Sequence, residues 1–349
     1  TTAFNTLRLK KLNIALQLPY SFPSKRRLRA YLKETKPDVV HVHNFLPVAT
    51  ASIFYACKSL KLPVILTLHN FRLLCVNGLF FREGKVCEKC ISKTWPVHGV
   101  RHSCYQNSKL ASFFTMSANG FHNTVDTWNK KIDKFIFLTP LSKEIFNRSK
   151  LTLKEEKQVI KPNFVEDHGY SLDKEDYYLF VGRLSREKGV HLILENFTKS
   201  KRIIKIVGDG PMATEVKEAA TRHSNIYYEG FLPQNKIAPL YKHARALLFT
   251  SIWHETMGMV IAEAYSFGTP VIGTTISTAK ALISEGFNGM CFNAHDPLSL
   301  ENTLTKFEAD TQTSWAKNAR QTYEEHYTPA KNLVLLEQIY KEAINNKSV

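Results

Sequence analysis

The chain has 349 residues, of which 44% are hydrophobic and 22% charged, and a net charge of +16. This is the composition of a globular protein, and the length favours two domains over one core. No run of about 18 apolar residues occurs, so no membrane-spanning helix is expected. The start, TTAFNTLRLKKLNIAL, has no h-region and no small-residue cleavage site, so no signal peptide is expected. It also lacks an initiator Met, and the numbering is expected to begin inside a longer gene product.

The charge is unevenly spread. Residues 1–165 carry 27 Lys and Arg against 9 Asp and Glu, a balance of +18, and the remainder carries 20 against 22, a balance of −2. A basic half beside a neutral one suits an anionic membrane surface, a polyphosphate substrate or nucleic acid. A Lys-rich surface that only keeps the chain dispersed is the plainer alternative.

Residues 1–36 read as helix-prone and basic, interrupted by Pro19 and Pro23, with Lys25, Arg26, Arg27 and Arg29 opening a short helix. PDVVHVHN follows. Its β-branched run at 38–42 has the pattern of a buried parallel strand, with His41, His43 and Asn44 at the C-terminal end. A helix at 48–59 and a strand at 63–68, ending at His69 and Asn70, complete a strand–helix–strand unit. That unit predicts a parallel sheet. Residues 71–110 are irregular and hold four of the six cysteines. A helix at 111–130, a strand at 134–138, a helix from 142 and a strand at 158–165 close the first half. The polar stretch EDHGYSLDKED, 166–176, predicts a linker.

In the second half, strands are expected at 178–181, 203–207, 226–228, 246–249, 271–272 and 289–292, alternating with helices. Helices at 297–307, 313–325 and 329–344 end the chain. Six short strands alternating with helices predict a doubly wound sheet. The expected organisation is an N-terminal Rossmann-like domain over 1–165 with a Cys-rich insert at 71–110, a second such domain over 173–328, and a helix over 329–349 crossing back to the first.

Two such domains would face each other across a cleft at the C-terminal ends of their sheets. The second domain's loops there are GRLSREKG, GDGP and WHETMGM. Arg183 and Lys188, five residues apart in one loop, can converge on a diphosphate, Arg as a fork and Lys as a point charge. Gly182 and Gly189 let that loop bend. Gly258 stands at a helix start, where free N–H groups and the positive dipole end attract a phosphate oxygen. Glu263, a turn or so further on, makes sense only with hydroxyl donors, and a ribose supplies two side by side. Glu255 can accept from sugar hydroxyls in the same way. Any one of these could be a surface charge or a cap; together they point to a sugar nucleotide.

GRLSREKG, VGDGP, YEGFL and above all ETMGMVIAEAYSFGTPVI resemble the retaining glycosyltransferases of family four, the glycosyl transferases group 1, which have the two-domain GT-B fold. PDVVHVHN, VILTLHN, FIFLTPLSKEIF and KPNFV resemble that family's successive first-domain strand ends, so the likeness runs from residue 37 onward. The resemblance implies that Arg183 and Lys188 hold the donor diphosphate and offset charge on the leaving group. It gives the same phosphates the backbone of Met257, Gly258 and Met259, gives Glu263 the ribose, and gives Glu255 the donor sugar, the two glutamates matching the ends of an E-x7-E motif. His69 matches a histidine lining the donor-sugar side; a satisfied histidine closing a strand end is its bland reading.

The implied activity is transfer from a UDP- or GDP-sugar to a glycan or polyprenyl-diphosphate-linked acceptor, with retention, in polysaccharide or cell-envelope glycan synthesis. No Asp-x-Asp pair occurs, so no cofactor is expected for catalysis. Only about 36 residues precede PDVVHVHN, fewer than the family's two βα units need. The first domain is therefore expected to be truncated at its N-terminus, which leaves an inactive remnant as one alternative. The others are a nucleotide-sugar 2-epimerase of the same fold and a basic nucleic-acid-binding protein. The E-x7-E spacing speaks against the first of these, and the paired charges of the neutral half against the second, so no nucleic-acid partner is expected. A cytoplasmic location is expected, peripheral on the inner face of the plasma membrane, where Arg26, Arg27 and Arg29 would meet anionic lipid.

Cys75, Cys87, Cys90 and Cys104 lie within 30 residues and include a C-x2-C knuckle. Without a secretion signal, this spacing reads as a structural zinc site before it reads as disulfides. Free thiols or one opportunistic disulfide are the alternatives. Cys57 and Cys291 fall in apolar helix and strand contexts and read as core.

Overall fold

The computed structural model describes residues 17–47 and 49–345. The first part of the basic segment and Val48, where a helix is predicted to start, lie outside them. The chain divides into two compact units: the described residues up to 82 with 87–161 and 334 onward, and residues 83–86 with 162–333.

In the first unit, α1 (Phe22–Thr35) starts at Ser21, whose hydroxyl accepts from the Ser24 N–H, and ends at Lys36 with φ 45°. Pro23 lies in its first turn, where no N–H is needed, so it begins the helix instead of interrupting it. There follow β1 (Val40–Val42), α2 (Ser52–Ser59), β2 (Val64–Leu68), β3 (Phe81–Arg82), β4 (Lys85–Val86), which falls in the stretch 83–86 grouped with the second unit, and α3 (Val97–Arg101). Where one helix is predicted over 111–130, two form, α4 (Lys109–Thr124) and α5 (Thr127–Lys131), because Asp126 takes a left-handed φ of 53°. Then come β5 (Lys134–Phe137), α6 (Pro140–Asn147) and β6 (Gln158–Ile160). β6 is shorter than predicted, since Pro162 has no N–H with which to continue the ladder.

These strands pair in the order β1-β2-β5-β6, all parallel. VILTL and KFIF are buried at every position, as parallel strands covered on both faces must be. On one face Phe54, Phe71, Phe80, Trp128, Phe137 and Phe146 form the aromatic centre of the core.

The second unit runs β7 (Tyr177–Val181), α7 (Val190–Phe197), β8 (Ile203–Val207), α8 (Ala213–Arg222), β9 (Ile226–Gly230), α9 (Gln234–His243), β10 (Ala246–Phe249), α10 (Met259–Ser266), β11 (Val271–Thr274), α11 (Ala279–Leu282), β12 (Gly289–Phe292), α12 (Ser299–Ala309) and α13 (Trp315–His326). Its sheet is parallel, in the order β9-β8-β7-β10-β11-β12. The chain builds outward from β7 in one direction, then returns to build from β10 in the other. The crossovers leave β7 and β10 on opposite sides, so a crevice opens at their C-terminal ends.

The last helix, α14 (Pro329–Asn345), belongs to the first unit from residue 334. Ile339 and Ala343 pack on Ile65 of β2 and Ile136 of β5. Lys134 donates to Glu342 at 2.8 Å, and the Tyr340 hydroxyl lies 2.8 Å from His41 Nδ1. α14 is thus the cover of the sheet's second face. Among the described residues no helix is long and apolar enough to cross a membrane.

Ile339 is 3% exposed. Ile339→Ala is expected to cost about 3 kcal/mol through lost burial and the cavity left behind. Chemical denaturation should show the transition of the first unit moving to lower denaturant while that of the second stays in place.

Candidate functional site

The crevice of the second unit is lined by the loops after β7 and β10, and side chains tie the two together. Lys188, at the end of a short 3-10 turn, donates to Glu255 Oε1 at 2.7 Å. Ser251 Oγ donates to the same oxygen, and Trp253 Nε1 does so at 3.1 Å. All three donors converge on Oε1; among the described residues none reaches Oε2. Thr250 Oγ1 donates to the Lys188 carbonyl at 2.7 Å, and the Ile252 N–H to the Glu187 carbonyl at 2.9 Å. Between them Gly189, at φ 70°, lies so close that a Cβ would meet the Thr250 carbonyl oxygen at 1.9 Å. Glycine is required there by sterics and backbone angle together. Arg183, in the same loop, is exposed and makes no hydrogen bond or ion pair among the described residues.

Glu255 leads into α10 through Thr256, Met257 and Gly258. Gly258 caps that helix with φ −78° and no side-chain partner, while the Met259 N–H turns back to the Met257 carbonyl at 3.1 Å and the Ile261 N–H to the Gly258 carbonyl at 2.8 Å. A Cβ at Gly258 would lie 2.8 Å from the Phe249 ring, so packing against β10 also demands a glycine here. The Asn163 N–H points at Met257 Sδ, 3.2 Å away, and Asn163 Nδ2 at Met259 Sδ, 3.6 Å away. Glu263, inside α10, accepts from the buried Tyr241 hydroxyl at 3.0 Å. Burial raises its pKa, and the Tyr241 hydrogen bond partly offsets the rise.

In the first unit, His69 follows β2 and His43 follows β1. His43 Nδ1 and His69 Nε2 are 2.7 Å apart. His41 lies beside them, its ring centroid 4.2 Å from that of His43, held by Thr67 Oγ1 at 2.7 Å and the Tyr340 hydroxyl at 2.8 Å. Burial lowers all three imidazole pKa values, and buried Lys161 lowers them further. His41 falls furthest, from 6.5 to about 4. Beside His69 a cavity of about 250 Å³ opens between Asn44, Leu46, Leu68, Asn70 and Arg72.

Ser251, Trp253 and Tyr241 carry the two glutamates, and the residue pattern singles out none of them. Ser251 and Trp253 at least stand in the same stretch as Glu255. Tyr241 sits on a different helix, 22 residues before Glu263, with no local signal. Cys75, Cys87, Cys90 and Cys104 border one small cavity, and all are free thiols, so no disulfide forms there. In the rotamers seen, no three His, Cys, Asp or Glu side chains among the described residues are set to hold a metal ion. Cys57 is fully buried in α2; Cys291, in β12, is only half-buried, so it is less a core residue than its apolar surroundings suggest.

Residues 4–166 match the family model for Glycosyltransferase Family 4, and residues 166–322 match that for Glycosyl transferases group 1. The chain belongs to the GT-B glycosyltransferases. It is 26% identical over 219 residues to O-antigen chain mannosyltransferase C of Escherichia coli, covering 57% of this chain and 59% of that protein. It is 24% identical to the GDP-mannose-dependent alpha-mannosyltransferase of Corynebacterium glutamicum, covering 84% and 64%. The chain thus spans about three fifths of the length of these curated relatives. Among solved structures, Anabaena HepE in complex with UDP superposes with a TM-score of 0.66 at 18% identity, covering 91% of this chain and 82% of that one. At that identity the likeness speaks for the fold alone.

Two outcomes follow for this glycosyltransferase. Gly189→Ala forces a backbone clash at a left-handed residue, and circular dichroism with denaturation should find the second unit unfolded or strongly destabilised. The low pKa of His41 means that the folded chain binds fewer protons than the unfolded chain between pH 6.5 and about 4. Stability should therefore fall as pH drops through that window. His41→Gln should flatten this part of the stability profile and leave it unchanged above pH 7.

Proposed function

We propose that the protein transfers a sugar from a nucleoside-diphosphate sugar to a glycan or lipid-linked acceptor, with retention of anomeric configuration, in polysaccharide or cell-envelope glycan synthesis. The observation that carries this reading is the Lys188–Glu255 pair across the β7–β10 crevice, with exposed Arg183 in the same loop. An ammonium and a guanidinium at the strand ends suit a diphosphate, which needs two cations as negative charge grows on the leaving group.

In this reading Arg183 grips the diphosphate as a fork. Lys188 shares its three N–H bonds between Glu255 and a phosphate oxygen. The backbone of Met257, Gly258 and Met259, at the start of α10, supports a further phosphate oxygen. Glu255, with Oε1 saturated by Lys188, Ser251 and Trp253, accepts from a sugar hydroxyl through Oε2. Glu263 accepts from the ribose while Tyr241 holds its other oxygen. His69, kept neutral by burial and Lys161, hydrogen-bonds the donor sugar without adding charge. The acceptor hydroxyl attacks on the face the diphosphate leaves, and a phosphate oxygen takes its proton. The cavity beside His69 is below the about 300–1,000 Å³ of drug-sized sites, a volume that suits one sugar ring of the acceptor.

UDP bound to HepE, and the mannosyltransferase relatives, make UDP- and GDP-sugars the first donors to test. The full chain should show a thermal shift and slow donor hydrolysis with one of them; no nucleotide binding to any would sink the reading. Arg183→Ala should leave the melting temperature unchanged and weaken donor binding about 10- to 100-fold, the worth of a charged hydrogen bond. Lys188→Ala should lower both binding and stability, because it leaves Glu255 buried without its cation.

The basic helix adds a setting. α1 exposes Phe22 and Tyr31 together with Arg26, Arg27 and Arg29. In our reading these dock the enzyme on an anionic bilayer, where a polyprenyl-diphosphate-linked acceptor resides. Co-sedimentation with vesicles should rise with their anionic lipid content and fall for the triple Arg→Glu variant; binding independent of that content would count against docking.

A further inference from the structure

Residues 81–108 serve no role in the reaction proposed above, and little of them is buried. Of residues 81–108, only Cys90, Pro96 and Gly99 are buried. Phe80, Glu83, Ser103, Gln106 and Asn107 all take left-handed backbone angles between 50° and 53°. Such residues persist only where their surroundings over-determine them, and the ties of this segment are surface ones, such as Arg148 to Glu88 at 3.0 Å and Trp95 Nε1 to Thr124 at 3.1 Å, more than a core.

What the segment does have is convergence. Cys75, Cys87, Cys90 and Cys104, from three separate stretches of chain, border a single cavity of about 20 Å³. That is room for one atom and for no larger ligand. No carboxylate lines it; Arg82 and Lys89 do, along with His98 and His102. His102 Nδ1 accepts from Arg82 Nη1 at 3.0 Å, which holds that guanidinium at the cavity wall.

Cys75 Sγ donates to Asn77 Oδ1 at 3.0 Å, and Cys90 Sγ to the Pro96 carbonyl at 4.0 Å. In the rotamers seen, no three donors among the described residues meet.

We propose that Cys75, Cys87, Cys90 and Cys104 bind one structural Zn²⁺ that clips this segment to the first unit. Four Zn–S bonds form and four S–H bonds break, the protons passing to solvent; no oxidant is involved. The tetrathiolate centre carries two negative charges in excess, and Arg82 and Lys89 are placed to balance them.

The test uses the full chain, purified under reducing conditions from zinc-supplemented culture. Elemental analysis should find about one zinc per chain, and X-ray absorption a sulfur-only shell at about 2.3 Å. Stripping with a chelator should lower the melting temperature of the intact chain, and added Zn²⁺ should restore it. Cys104→Ser should lose the metal, while Cys291→Ser, in the other unit, should keep it. If a Cys104 variant fails to fold, the strip-and-restore cycle on the unaltered chain decides alone. Metal-free protein in which all six thiols titrate, protein with disulfides at these positions, or zinc in a nitrogen and oxygen shell would each overturn the proposal.

Discussion

The second unit is organised by the ion pair between Lys188 and Glu255. Both groups are largely removed from water, so neither tolerates losing the other. For the pair to form at 2.7 Å, the loop after β7 and the loop after β10 must stand in one fixed relation. The rest of that unit supplies it. Parallel pairing of β7 with β10 sets the two strand ends side by side. Thr250 and Ile252 bond the backbone of the other loop, and Gly189 removes the one Cβ that would separate them. This frame exposes Arg183 and, among the described residues, leaves Glu255 Oε2 without a protein donor.

The first unit solves a different problem. Its sheet is buried on both faces, yet the local chain supplies helices mainly to one. α14 closes the other with Ile339 and Ala343 and brings Tyr340 to His41. A helix that begins next to α13 thereby helps fix a histidine cluster almost 300 positions earlier. The cluster stays uncharged at neutral pH because burial and Lys161 act in the same direction on all three imidazoles. Neutral rings can pass or accept a hydrogen bond without repelling one another across 2.7 Å.

Much of this was legible before any coordinates. The apolar runs at 203–207, 246–249 and 289–292 are strands over those same residues, because a buried parallel strand is apolar throughout and its ends are punctuated by polar residues. Where reading failed, a single residue overruled periodicity. Asp126 broke a helix, and Pro162 ended a strand. Gly258 was legible as a helix start, but its packing against Phe249 was not, since the two lie on opposite sides of a loop. The support of Glu263 by Tyr241 left no trace in spacing, because helices α9 and α10 meet only once the sheet is built.

The sequence by itself determined the class of fold, the order of elements and the residue types at the strand ends, for these depend on local periodicity, turn chemistry and short motifs. It also brought Arg183, Lys188, Glu255 and Glu263 to notice as a set. Only the tertiary structure decided that Lys188 and Glu255 touch while Arg183 stays unengaged, that three histidines form one cluster, and that four cysteines share one cavity. Those facts depend on strand order and on loops converging over long separations. A chain read one neighbourhood at a time carries no record of which distant side chain will remove the last water from a charge.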